Sequence, residues 1–356
     1  MIRARRYLII GPAWVGDMVM AQSLFITLKQ DNNDAVIDVL APAWSLPLLE
    51  RMPEVHCSFE QPMGHGQFGL RSRYRTGKAL QRNDYDRAIV LPRSFKAALV
   101  PWFAHIPRRT GYKGEMRYGL INDMRPLDKS VLTQTVQRYV ALGVERDAAL
   151  PPAIPEPRLR IDEDNQQAVI KQRGLRVDKP VIGFMPGAEY GPAKQWPAAH
   201  FAGVADHLVQ QGCQVWLLGS QKDNTIAETI QQQSQSELVN LCGKTKLRDV
   251  VDLMALMPMV ITNDSGLMHV AAAVGCEVVA IYGSSTPDYT PPLTKRATVL
   301  YERLSCSPCF ERNCPLGHTQ CLTSITVEKV IAAIQDSIHQ LPVKPEKNKT
   351  TTTIER

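Results

Sequence analysis

Short apolar runs in this chain repeatedly end in a polar, glycine-bearing turn that opens a helix. That alternation limits the possible folds more than any other feature of the sequence. Tyr7 to Ile10 runs into Gly11-Pro-Ala-Trp-Val-Gly-Asp17 and then a helical pattern from Met18 to Lys29. Val36 to Leu40 precedes a helix from Ala43 to Met52, and Ala88 to Leu91 runs into Pro92-Arg-Ser-Phe-Lys96. Past a proline-rich stretch, Leu150-Pro-Pro-Ala-Ile-Pro-Glu-Pro157, the pattern starts again. Val181 to Met185, Val215 to Leu218, Met257 to Thr262 and Glu277 to Tyr282 are each followed by a polar turn. Strands alternating with helices at this spacing mean parallel βαβ units. Two such series separated by a stiff, helix-breaking segment mean two doubly wound α/β domains facing across a cleft.

The boundaries read as residues 1–157, an N-terminal Rossmann-like domain with its linker, and 158–344, a second Rossmann-like domain. Residues 345–356 are polar and expected to be disordered. A chain of 356 residues suits two cores better than one. The formal charge of +6 permits anionic substrates or an anionic membrane surface. The sequence has no run of 18 apolar residues, so no segment is expected to span a membrane. Arg3, Arg5 and Arg6 before Tyr7 faintly resemble a signal peptide. Gly11, Pro12, Gly16 and Asp17 break the apolar region, and the start reads as the first strand of a cytosolic protein.

The richest stretch is Ile261-Thr-Asn-Asp-Ser-Gly-Leu-Met-His-Val270. A turn between strand and helix exposes backbone N–H groups at the helix start, and the dipole there attracts anions, most often phosphate. Capping by Asp264 or Ser265 explains one residue. It does not explain His269, or the second polar turn Gly283-Ser-Ser-Thr-Pro-Asp288 after the next strand. Two adjacent strand ends of this kind make a phosphate-binding crevice. Asp17 falls at another helix start, where a carboxylate is aimed into the cleft. In the first half, Arg93 and Lys96 project where cations oppose the helix dipole, so a phosphate partner rationalises them. Ile106 to Tyr118, dense in Arg and Gly, reads as a loop. Arg71, Arg73, Arg75, Lys78 and Arg82 read as a solvated helix face.

Three other patterns lead nowhere. Gly64-His-Gly-Gln-Phe-Gly69 fits G-x-G-x-x-G, but no strand leads into it. Asp84-Tyr-Asp86 has metal-dependent transferase spacing but precedes its strand, so it reads as surface. Asp162 and Asp164 read as helix-start residues. The cysteines are different. Cys306, Cys309, Cys314 and Cys321 lie close enough in sequence to hold a structural zinc, the alternative being a reduced loop with ordinary thiols.

Five stretches then combine. Gly11 to Asp17, Leu91 to Pro101, Gly111 to Tyr118, Pro186-Gly-Ala-Glu-Tyr-Gly-Pro-Ala-Lys-Gln-Trp-Pro197 and Thr262 to His269 resemble the ADP-heptose:lipopolysaccharide heptosyltransferase II family, in glycosyltransferase family 9. The resemblance covers nearly the whole chain in order. It implies the GT-B fold, the active site lying between the two domains. It implies an inverting enzyme of inner-core lipopolysaccharide synthesis, cytoplasmic and peripheral at the inner face of the cytoplasmic membrane. The donor would be ADP-L-glycero-β-D-manno-heptose and the acceptor the first heptose of heptosyl-Kdo2-lipid A. No nucleic-acid partner and no cofactor for catalysis is implied.

By position, Asp17 matches the family's proposed general base and Lys194 the lysine that contacts donor phosphate. Gly187 and Ala188 fall in the donor loop. Asp264, Ser265 and Gly266 match the loop around pyrophosphate and heptose, with His269 beside it, and Thr245 falls near the adenine. A related heptosyltransferase has a glutamate near the position of Gln221, where the ribose is held. Arg93, Lys96, Arg109 and Arg117 are expected to meet phosphate or carboxylate of the acceptor. The chemistry is consistent: in-line attack needs one base for the acceptor hydroxyl and cations for the leaving diphosphate. A transferase acting on a different core acceptor and a non-catalytic sugar-nucleotide-binding protein remain alternatives. An oxidoreductase would need a strand-following G-x-G-x-x-G with an acidic ribose ligand, and neither is present.

Overall fold

The computed structural model describes residues 4–61 and 67–340. Arg3, Gly64 and Gly66 of the discounted glycine motif, and the tail 345–356 lie outside the described residues.

The first half alternates β1 (Arg6–Ile10), α1 (Val15–Asp31), β2 (Val36–Ala41), α2 (Leu46–Leu49), β3 (Val55–Glu60), α3 (Leu70–Gln81) and β4 (Arg87–Val90). It continues with α4 (Leu99–Phe103), β5 (Arg108–Tyr112), β6 (Asp123–Arg125) and α5 (Thr135–Ala141). The second half runs α6 (Glu163–Arg173), β7 (Val181–Met185), α7 (Ala198–Gln210), β8 (Gln214–Leu217), α8 (Asn224–Gln233), β9 (Val239–Asn240), α9 (Leu247–Met254) and β10 (Met259–Asn263). Then come α10 (Gly266–Ala273), β11 (Glu277–Tyr282), β12 (Ala297–Tyr301), α11 (Gln320–Thr323) and α12 (Val327–His339).

Each half builds one six-stranded sheet, in the orders β3-β2-β1-β4-β5-β6 and β12-β11-β10-β7-β8-β9. The strand pairs are parallel. The two orders are the same winding used twice: β7, β8 and β9 run outward on one side of the second sheet, β10 to β12 on the other. In such sheets ligands bind beyond the carboxyl ends of the strands where the order reverses. Those are β1 with β4, and β7 with β10. The loops they carry begin at Gly11, Leu91, Pro186 and Asp264.

Central strands are buried on both faces, which is why β1, β4, β7, β10 and β11 read as nearly unbroken apolar runs. The segment from Ile106 to Tyr118 differs from its reading as a loop: Arg108 to Tyr112 is a strand. Its arginines are accommodated between β4 and β6 because Arg108 pairs with Asp123 on β6 at 3.0 Å. Helix α1 is also less amphipathic than its pattern suggests, with Met18 to Phe25 buried without a break. It is enclosed by α5, α10 and the proline-rich segment. Its buried polar groups are met there, the Gln22 amide by Arg158 O at 2.6 Å and the Ser23 hydroxyl by Pro155 O at 2.7 Å. One apolar cluster therefore runs through both halves, from Tyr7 and Phe25 to Met268 and Tyr282. Burying each such side chain contributes about 1.5–3 kcal/mol.

Candidate active site

The site forms where the first turns of α1 and α10 meet. Two glycines permit the approach. A methyl group on Gly16 would lie 2.6 Å from His269 Cδ2, and one on Gly266 would lie 2.9 Å from Val15 Cβ. Neither helix start carries a side-chain cap: Trp14 before α1 and Ser265 before α10 make no capping hydrogen bond. Ser265 therefore does not cap α10 with its side chain, and the first turn of that helix is of the kind that attracts an anion.

Asp17 occupies the first turn of α1. Burial pushes its carboxyl up to about 6, with Lys194 pulling it down and Asp264 pushing it up. Asp17 therefore lies within electrostatic reach of both. Lys194 ends a short 3-10 turn, Pro192–Lys194, in the loop after β7. Its ammonium meets Asp264 Oδ2 at 2.5 Å, and the same oxygen accepts the Ser285 hydroxyl at 2.5 Å. The Lys194 ammonium also sits 5.3 Å from the centre of the Tyr190 ring. Asp264 is 6% exposed, so this cluster is screened from water on most sides.

Asn263 was not singled out in the sequence, yet it holds the arrangement together. Fully buried, it donates to Pro186 O at 2.6 Å and accepts from Trp196 N at 3.0 Å. It thereby clamps both ends of the loop that carries Lys194. The signal available was its place between a buried strand and Asp264, where an amide can serve a donor and an acceptor at once. Ser285 lay inside the noted Gly283-to-Asp288 turn, but its partner was invisible in the sequence.

His269 lies behind the glycines, 4% exposed, where burial pushes its imidazole down to about 4, so it is neutral at pH 7. Gly187 packs against the Asp223 carboxylate so closely that any side chain there would collide with it. Ala188 is buried beside it. Gln221 is exposed and its amide lies over Gly243, a residue with φ of 70° whose missing side chain leaves that space open. Thr245 follows two residues on, half-buried, its hydroxyl 3.5 Å from Leu241 O. Lys194, Gly187, Gln221, Thr245 and Asp264 thus all sit at the carboxyl edge of one sheet.

The first-half cations divide. Arg93 is exposed and Lys96 half-buried on the loop after β4. Arg117 corrects the expectation of an acceptor contact: it is 1% exposed and donates to Pro92 O at 2.7 Å and Tyr112 O at 2.5 Å. Arg109 is similarly spent on Leu120 O and Ile106 O. Arg73, read as part of a solvated face, is 2% exposed and bonds Phe68 O and Lys96 O. A guanidinium offers five donors, so it can tie several loop carbonyls that no strand satisfies. Ser94 makes no side-chain cap before the following turn; the Glu115 carboxylate takes the Phe95 N–H at 2.7 Å.

The zinc expectation finds no support in the placement of these side chains. Among the described residues no three His, Cys, Asp or Glu side chains are placed to hold a metal ion. Cys321 lies on α11 under Gly283, and the Cys314 sulfur is turned into backbone N–H groups of residues 316–319, which lower its pKa. Burial raises Cys321, and the three neighbouring thiols raise it further.

Residues 73–320 match the model of glycosyltransferase family 9 (heptosyltransferase). The chain is 46% identical over 345 residues to lipopolysaccharide heptosyltransferase 2 of Salmonella typhimurium, covering 94% of this chain and 98% of that protein. It is 50% identical over 305 residues to lipooligosaccharide heptosyltransferase 2 of Haemophilus influenzae, covering 82% and 87%. The solved structure of E. coli ADP-heptose lps heptosyltransferase II superposes with a TM-score of 0.82 at 43% identity, covering 94% of this chain and 99% of that one.

Proposed function

The chain belongs to glycosyltransferase family 9, and we propose that it moves heptose from ADP-heptose to the first heptose of the lipopolysaccharide inner core. The observation that carries this reading is the meeting of Asp17 with the Lys194–Asp264 pair at two uncapped helix starts. One half supplies a base, the other a cation and open N–H groups. That division suits a donor seated on the second half and an acceptor on the first. It also favours the division near residue 157, with the proline-rich segment as linker.

Asp17 takes the proton from the attacking acceptor hydroxyl. With its carboxyl at about 6 it is mostly ionised at pH 7, yet more basic than a free aspartate. The ADP β-phosphate gains charge as the sugar–phosphate bond breaks. Lys194 and the α10 N–H groups offset that charge in the transition state more than in the ground state. Lys194 then turns from Asp264 to phosphate, and Asp264 becomes free to accept from donor hydroxyls. Attack from the Asp17 side, opposite the diphosphate, inverts the anomeric carbon. Gly187, Ala188, Gln221 and Thr245 line the way to ribose and adenine. His269, neutral and packed on Gly16, supports the helix contact beside the donor.

The acceptor side rests on Arg93 and Lys96. The first half also exposes Trp14, Trp44, Phe68, Trp102, Met116 and Tyr118, and the cations Arg71, Arg75 and Lys78 on α3. Aromatic rings among cations suit peripheral contact with an anionic membrane face. Among the described residues no helix is long and apolar enough to cross a membrane.

The deciding experiment is transfer from ADP-heptose to heptosyl-Kdo2-lipid A, with Kdo2-lipid A as the contrasting acceptor. Turnover on the first and not the second is expected. Turnover on Kdo2-lipid A alone would move the acceptor assignment. Binding of ADP-heptose without turnover on either would favour a non-catalytic binding protein.

A further inference from the structure

The four-cysteine segment has no part in the proposed chemistry, yet its backbone touches both loops that feed Asp264. On the Lys194 side, the Tyr190 hydroxyl donates to Phe310 O at 2.6 Å, and Arg312 O accepts from Ala193 N at 3.0 Å. Gly191 lies flat on Arg312, where a side chain would come within 2.5 Å of its carbonyl oxygen. On the Ser285 side, the Ser307 hydroxyl donates to Gly283 O at 2.6 Å, and Phe310 N donates to Ser284 O at 2.7 Å. Cys321 seals the same corner, with its sulfur 3.2 Å from where a Gly283 side chain would begin. Lys194 and Ser285, the two donors on Asp264 Oδ2, are therefore each one or two residues from a bond to this segment.

We infer that residues 306–314 are a positioning element for the leaving-group cluster, and that Tyr190 is the positioning residue through which they act on Lys194. The Tyr190 ring is the connecting piece. It lies 5.3 Å from the Lys194 ammonium on one side and 5.2 Å from the Arg312 guanidinium on the other. Its hydroxyl is tethered to Phe310, a residue held at φ of 57°. A lysine has a long flexible stem, and fixing its head costs rotamer entropy. A tethered aromatic face beside Asp264 removes part of that freedom before the donor arrives, so less has to be lost in the transition state. Without the tether, Lys194 keeps its charge but samples more positions.

This inference rests on the proposed role of Lys194, and a double-mutant cycle separates the two. Tyr190→Phe removes the hydroxyl and keeps the ring. It is expected to lower kcat about three- to tenfold, with the donor KM within about twofold, the scale of one hydrogen bond expressed as rate. Combined with Lys194→Ala, the same change should cost less than about twofold, because nothing remains to be positioned. Equal losses from Tyr190→Phe in both backgrounds, or no loss in the parent enzyme, would overturn the inference and leave the Lys194 assignment standing. Wild-type kcat in Lys194→Ala alone would overturn both. A merely structural hydroxyl would lower the melting temperature and act additively.

Discussion

The Lys194 ammonium rests on the Asp264 carboxylate, Nζ to Oδ2 at 2.5 Å, one partner from the turn after β7 and the other from the end of β10. The pair spans the point where the second sheet reverses its winding. The cation has a carboxylate to balance it, and Asp264 has Ser285 as a second donor. Under the proposed function, donor binding exchanges one anion for another instead of stripping a bare charge of water, which is the cheaper step in a buried site.

Asp17→Asn keeps the shape of the base and removes its function. Turnover should fall by roughly 10²–10⁴ while ADP affinity changes little. Steady-state rates beside ADP titration calorimetry check this, and near-normal turnover would remove Asp17 from the mechanism.

The pH dependence has a fixed sign. Asp17 acts as a base when ionised, so kcat/KM should rise with pH through about 6 and level off above it. Stability moves the other way. The folded carboxyl titrates at about 6 and the unfolded one at the ordinary 3.8, so the unfolded chain ionises first. Wild type should therefore lose stability relative to Asp17→Asn between about pH 4 and pH 6, with a constant gap above. Melting curves of both proteins across that range test it; a gap independent of pH would contradict the burial of Asp17.

The arginines show where the sequence stopped being informative. The alternation of apolar runs and polar turns revealed the central strands, because strands buried on both faces carry their own signature. The edge strands β3, β6 and β12, and β5 beside β6, were not read as strands, since short, partly exposed segments lack that signature. Asp17 and Asp264 stood out from their places at helix starts after strands, and Lys194 from the resemblance of its loop. Their contacts were not, because Lys194 and Asp264 lie 70 residues apart. Arg93 and Arg117 looked alike as cations in a basic region. Only packing shows that one faces solvent while the other is walled in by Pro92 and Tyr112.

That difference gives a prediction. Arg93→Ala with Lys96→Ala should raise the acceptor KM several-fold and leave the donor KM nearly unchanged. Arg117→Ala should instead destabilise the fold, by about 1–3 kcal/mol for each buried carbonyl left without a donor. Kinetics with each substrate varied in turn, beside urea unfolding, separate the two effects. A purely kinetic phenotype for Arg117→Ala would restore it to the acceptor surface.

The glycine contact between α1 and α10 can be probed by volume. Gly16→Ala puts a methyl group 2.6 Å from His269 Cδ2, so the helices must part and Asp17 must shift from the Lys194–Asp264 pair. Overpacking of this kind costs about 1–3 kcal/mol. Adding His269→Ala opens the space and should recover part of the stability. Failure of the second substitution to recover any would mean that Gly16 is required for another reason.

The leaving group provides the sharpest test. If Lys194 stabilises charge growing on the ADP β-phosphate, its ammonium matters more in the transition state than in the ground state. Lys194→Ala should then lower kcat by about 10²–10³, a barrier change of roughly 2.7–4 kcal/mol. Lys194→Gln should recover little, because a neutral amide cannot balance a full charge. The competing reading gives Lys194 a structural task, pinning Asp264 beside Ser285. Under that reading Lys194→Ala leaves a buried carboxylate without its cation. The cost then appears as lost thermal stability, with kcat within a few-fold of wild type. Measuring kcat at saturating ADP-heptose together with melting temperature distinguishes the two, since a catalytic lysine moves the first far more than the second.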